Sequence, residues 1–181
     1  MPIIRLFVLG LFALVLVAAA TPALAKKKPV RQESGGEACY TKAEFEADQI
    51  LEFHTELMVI GLKCRTAYPL EKPFGAYTDF TNLHRSLLSG AERRLMEHFQ
   101  RHGGGGTHRF DALRTDLANQ ASRRAAMIGE TVYCAAMVPL AIKTPALSDA
   151  DVLELIADPV FPHLARQPPC TPVGAGAAKM Q

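Results

Sequence analysis

The sequence predicts an all-α fold: an antiparallel bundle of three to four helices, with a kinked or split second helix and disulfide staples. Three observations carry this expectation. Apolar residues recur at helical spacing in three long stretches, proline and glycine clusters separate them, and no run of alternating residues marks a strand. Four cysteines, Cys39, Cys64, Cys134 and Cys170, are spread over the chain with no C-x-x-C spacing. That excludes thioredoxin-like redox chemistry, c-type haem attachment and zinc knuckles as motif-based readings.

Residues 1–25 read as a cleavable secretory signal. Arg5 supplies the positive start, Leu6 to Ala20 is apolar without interruption, and Ala23-Leu24-Ala25 is an A-x-A cleavage site after the helix breaker Pro22. The competing reading is an uncleaved anchor. The run approaches the ~18–20 residues of a span only if Thr21 to Ala25 are included. Lys26, Lys27, Lys28 and Arg31 follow at once, which would draw an uncleaved anchor into the inverted topology. The expected location is therefore periplasmic or secreted, with no transmembrane span once the signal is removed. Residues 26–38, almost without apolar side chains, read as a disordered linker, 39–170 as the helical domain, and 171–181 as a disordered tail.

The first helix is expected over 41–64. Thr41 and Glu44 form a Ser/Thr-x-x-Glu capping box, and Phe45, Phe53, Leu57, Ile60 and Cys64 follow at mostly helical spacing. Pro69, Pro73 and Gly75 then mark a loop. A second helix is expected from Thr78-Asp79, its stripe running through Phe80, Leu83, Leu87, Ala91, Leu95 and Phe99. Ser89-Gly90 is the predicted kink or break, with Ser89 and Glu92 as a second capping box. Gly103 to Gly106 end it, because glycine adopts the left-handed cap conformation without strain. A third helix is expected over 107–138, with Phe110, Leu113, Leu117, Ala121, Ile128, Val132 and Ala135 on one face, closed by Pro139. Ser148 with Asp149 and Asp151 starts a short fourth helix over 149–157.

An even number of cysteines in an exported chain implies disulfides, with three connectivities open. Helix 41–64 would be roughly 35 Å long at ~1.5 Å per residue. Disulfide Cα atoms lie within about 7 Å, which removes Cys39–Cys64. Antiparallel succession of the helices favours Cys64–Cys134 with Cys39–Cys170 over the remaining alternative.

Charge is nearly balanced overall, with 20 Lys+Arg against 18 Asp+Glu, but it is unevenly distributed. Residues 41–64 carry Glu44, Glu46, Asp48, Glu52 and Glu56 against Lys42 and Lys63, whereas 85–124 hold eight arginines. An acidic helix lying beside Arg-rich ones is the simplest reading. The other is a basic surface over 85–124 for an envelope protein or an anionic envelope component. No nucleic-acid motif is present, and nothing in the motifs calls for a cofactor.

His98 and His102 are four apart at a helix end and His108 follows the glycines, a pattern that could hold Zn²⁺, Ni²⁺ or Cu²⁺. H-E-x-x-H is absent, and Arg94 stands where H-x-x-E-H would need histidine. His102-Gly103-Gly104-Gly105 spells an esterase oxyanion loop, but it follows a helical stretch and no G-x-S-x-G exists in the chain. The glycines are no P-loop either, lacking a following Gly-Lys-Ser/Thr. Glu52, His54 and Glu56 occupy alternate helix positions and cannot share a face; His54 reads as a half-buried core histidine. Asn119 and Gln120 read as structural hydrogen-bonding residues.

Leu117-Ala118-Asn119-Gln120-Ala121-Ser122, followed by Tyr133-Cys134, resembles a pattern in small exported four-cysteine helical proteins of proteobacteria with no assigned function. The resemblance implies export and a structural role for Cys134, and supplies no activity. The leading expectation is a non-enzymatic, disulfide-stabilised binding or structural module of the cell envelope. The alternative is a metal-binding or metal-dependent protein using His98, His102 and His108, and an unrecognised hydrolase is a third.

Overall fold

A computed structural model describes residues 39–158 and Cys170. The predicted signal, the 26–38 linker, residues 159–169 and the 171–181 tail lie outside the described residues. Six α-helices follow in order: α1 (Lys42–Cys64), α2 (Pro73–Leu83), α3 (Arg85–Arg101), α4 (Gly106–Ile128), α5 (Glu130–Ala141) and α6 (Asp149–Ala157), with a 3-10 turn at Thr144–Ala146. No strand occurs among the described residues, and none of their helices is long and apolar enough to cross a membrane.

Helix α1 begins where its capping chemistry dictates. The Thr41 hydroxyl accepts from the Glu44 N–H, and Glu44 Oε2 accepts from the Thr41 N–H at 2.8 Å. Two backbone donors that the first helical turn leaves open are satisfied reciprocally. Packing then surrounds α1: Ala47, Leu57, Ile60 and Cys64 are fully buried, Phe53 is nearly so, and α2, α3, α4, α5 and α6 all contact it. Phe80, Leu88, Leu95, Phe110, Leu117, Tyr133, Val138, Val152 and Ile156 close the core around it. Side chains buried this completely typically cost about 2–5 kcal/mol when truncated to alanine.

The second helical stretch breaks at a different place from the one expected. It starts at Pro73, because proline at the first helical position sacrifices only an N–H that has no partner there. It breaks at His84, not at Ser89-Gly90; α3 runs unbroken through both, and the Ser89 hydroxyl donates back to the Ser86 carbonyl at 3.2 Å. His84 is held at the break by Phe80, 4.4 Å away ring to ring, and by Asp149, whose Oδ1 lies 2.5 Å from Nδ1. A tertiary contact from α6 thus sets the break. Leu83, expected in the core, is 65 % exposed.

The third stretch is also two helices. Gly129, at φ 85° and ψ 133°, takes a conformation that side-chain-bearing residues avoid, and it turns α4 into α5. The turn resets the helical register. Ile128, Val132 and Ala135 therefore fall on the exposed side, while Tyr133, Cys134 and Val138 face inward. Pro139 does not end the helix, which continues to Ala141.

Disulfides join Cys39 to Cys170 and Cys64 to Cys134, with Cα separations of 4.8 and 5.5 Å. No free cysteine is present. The Cys170 N–H also donates to the Tyr40 carbonyl at 2.8 Å. Ser148 and Asp151 cap α6 reciprocally, as Thr41 and Glu44 cap α1.

Candidate functional site

One cluster of buried polar groups lies where α1 begins and α3 gives way to α4. Glu44 is the hub. Oε2 is engaged by the N-cap of its own helix, and Oε1 receives Arg101 Nη2 at 2.5 Å and lies 3.2 Å from His98 Nδ1. Burial by itself would raise this carboxyl's pKa. The Thr41 N–H and hydroxyl, together with His98, outweigh it and hold the group below its usual range.

His98 is 1 % exposed. Tyr40 meets its ring edge-on at 4.8 Å, Phe99 does so at 5.5 Å, and the His102 ring lies 4.7 Å away. His102 caps α3, its N–H donating to the His98 carbonyl, and its own carbonyl accepts from Arg109 Nη1 at 2.7 Å. The Arg109 guanidinium also sits 5.1 Å above the Phe99 ring. Gly103, Gly104 and Gly105, all at positive φ, make the reversal that brings Arg109 back over α3.

The structure pairs His98 with His102 and leaves His108 apart. His108 is exposed on α4 and lines a shallow cleft of about 280 Å³ with Tyr40, Phe99, Arg109 and Asp116. No group of three or more His, Cys, Asp or Glu side chains suited to a metal ion occurs among the described residues. The HGGG stretch has become an interhelical turn.

A second feature was visible only in part from sequence. Glu44, Asp48, Glu52 and Glu56 stand at every fourth position of α1, and all four are buried. At the far end, Glu56 Oε2 receives Arg124 Nη2 at 2.5 Å and Oε1 receives the Tyr133 hydroxyl at 2.6 Å. Burial, then the Glu56 charge and hydrogen bond, push the Tyr133 phenol far above its ordinary pKa. The acidic helix does pair with arginines, through buried carboxylates that Arg101 and Arg124 reach from the surface side. The regular spacing was the signal for a buried stripe.

His54 lies apart from Glu52 and Glu56. Its Nε2 is 3.0 Å from the Thr81 hydroxyl and its ring stacks on Tyr77 at 5.2 Å. Burial, aided by the Arg114 charge, pushes its pKa down to about 4, so it is neutral at physiological pH. Gln120 is half-buried on α4, and its Oε1 has no hydrogen-bond partner among the described residues.

The arginines of 85–124 are largely engaged: Arg85 with Asn82, Arg101 with Glu44, Arg114 with Glu92, Arg124 with Glu56, and Arg109 as described. Compared with known proteins, the chain matches no family model, no curated protein and no solved structure.

Proposed function

We propose that this chain is an exported helical module of the cell envelope, periplasmic or secreted, that binds another protein or an envelope component and performs no covalent chemistry. The observation that carries this reading is the pair of disulfides, which join cysteines 131 and 70 residues apart. Bridges of this kind persist in oxidising compartments and are reduced in the cytosol. The sequence of residues 1–25 points the same way.

An antiparallel bundle is supported by the order of the contacts. Gly61 backs on Phe74 and His54 on Thr81, while Glu44 meets Arg101. Glu56 then meets Arg124, Cys64 meets Cys134, and Gln49 meets Ile156. Contacts along α1 are thus revisited in alternating direction, as expected for short connections between neighbouring helices.

A binding role is favoured because Glu44, Glu56 and His84 are engaged by neighbouring side chains. Met127, Ile128 and Val132 meanwhile present 80 %, 50 % and 61 % of their surface at the α4–α5 corner. Arg93, Arg94 and Arg123 lie in the basic stretch available to an anionic partner.

The test is thiol alkylation of protein taken directly from fractionated cells. Expected is a chain lacking residues 1–25, recovered outside the cytoplasm, with all four cysteines protected until a reductant is added. A full-length cytoplasmic chain with alkylated thiols would overturn the reading. Crosslinking in that compartment identifies the partner, and capture that persists in a Met127→Asp/Val132→Asp variant would remove the α4–α5 corner as its surface.

A further inference from the structure

The last turn of α3 holds a buried imidazole, His98, neither of whose nitrogens has a hydrogen-bond partner among the described residues. The Glu44 carboxylate lies 3.2 Å from His98 Nδ1, close enough for its charge to act on the ring but outside hydrogen-bonding geometry. Nε2 is buried and has no hydrogen-bond partner among the described residues. A buried polar nitrogen left without a partner is costly to a fold, so its presence asks for an occupant. One turn further on, the exposed His102 brings a second imidazole to within 4.7 Å, ring centre to ring centre.

We propose that His98 and His102 form a two-imidazole site for a late first-row transition-metal ion (Zn²⁺, Ni²⁺ or Cu²⁺), with Glu44 as the positioning residue behind His98. The separation fits. An ion about 2.0–2.1 Å from an imidazole nitrogen lies about 3.2 Å from that ring's centre, and two ligands at about 90–109° then place their ring centres about 4.5–5.2 Å apart. A carboxylate on the far nitrogen of a ligating histidine fixes its tautomer and orientation, which is where Glu44 stands. The C-terminal end of α3 adds a partial negative charge beside the ion.

The surrounding charges narrow the metal class. Arg101 is paired to Glu44 and Arg109 donates to the His102 carbonyl, so two cations flank the site. Hard ions held by charge and oxygen ligands, such as Ca²⁺ or Mg²⁺, are disfavoured there. Ions that bond well to imidazole nitrogen tolerate such surroundings. His102, Gly103 and Gly105 are exposed, so solvent completes the coordination. The proposal does not depend on export.

The experiment uses untagged protein with its disulfides intact, stripped with EDTA. It is titrated with Zn²⁺ by calorimetry and with Cu²⁺ by electron paramagnetic resonance. Expected are one ion per chain and nitrogen hyperfine structure from two imidazoles. His102→Ala is the decisive variant, since the side chain is exposed and its loss leaves the core intact. Loss of an outer-shell partner alone costs about 10–100-fold in affinity, so loss of this ligand should cost about tenfold or more. His108→Ala should bind as the parent does. Absence of binding, equal binding by His102→Ala, or loss of binding in His108→Ala would each overturn the site. So would nitrogen chemical shifts showing a proton shared between the two rings in the presence of metal.

Discussion

The Tyr133 hydroxyl donates to Glu56 Oε1 at 2.6 Å, tying the second turn of α5 to the middle of α1 across 77 residues of sequence. Arg124 takes the other oxygen of the same carboxylate. Tyr133→Phe keeps the ring and removes one of these two partners. It should lower unfolding free energy by about 1–3 kcal/mol in denaturant titrations. Glu56→Ala strands an arginine and a phenol together and should cost about 3–5 kcal/mol. A double-mutant cycle giving no coupling between positions 56 and 133 would remove the bond from the account.

The same phenol predicts behaviour in alkali. Its pKa in the folded protein is raised, so the neutral form is favoured by folding. The stability this contributes is present below the unfolded value of about 10 and is lost as pH rises above it. Spectrophotometric titration should find a tyrosine that ionises only on unfolding, absent from Tyr133→Phe.

His54 predicts the opposite end of the scale. Its pKa is pushed down to about 4 in the folded protein. Folding therefore favours the neutral ring, and the stability it contributes is complete above the unfolded value of about 6.5. It is lost as pH falls from there toward 4, by about 2–3 kcal/mol. His54→Gln should flatten the stability profile between these pH values. A profile equally steep in the variant would mean that another group supplies the slope.

Glu44 extends the acid sensitivity lower. Its depressed pKa gives stability that is present above the unfolded carboxyl value and lost as pH falls through the folded one. Thr41→Ala removes the hydroxyl that caps α1 and should cost about 0.5–2 kcal/mol. It should also shift the acid-unfolding midpoint to higher pH, because one of the groups holding Glu44 ionised is gone.

Each disulfide closes a long loop, and replacing Cys64 and Cys134 by serine should cost about 2–5 kcal/mol. Cys39→Ser/Cys170→Ser should cost a comparable amount. Thermal melts of the two paired variants, read against the parent with and without reductant, check both values.

Local chemistry was legible and tertiary overrides were not. The Thr41–Glu44 cap, the extent of α1 and the span of α6 follow from residues within a few positions of one another. The break at His84 could not be read, because no glycine or proline marks it. Phe80 and Asp149 make it, and Asp149 lies 65 residues away. Gly129 is an isolated glycine in an otherwise continuous apolar pattern, and its turn reassigned Ile128 and Val132 from core to surface. At the candidate site, the four-residue spacing of His98 and His102 was plain. Their unequal burial and the Glu44 contact depend on how α1 and α3 meet. The acid stripe was present as a count of charges, and only its spacing distinguished buried pairs from a solvated face.

The Cys39–Cys170 bridge has a mechanical consequence. The two residues lie 4.8 Å apart at Cα and enclose the described helices. A pull applied at these two points travels through a single sulfur–sulfur bond, and the helices carry none of the load. Tension along the chain cannot unravel the fold until a reductant cuts that bond.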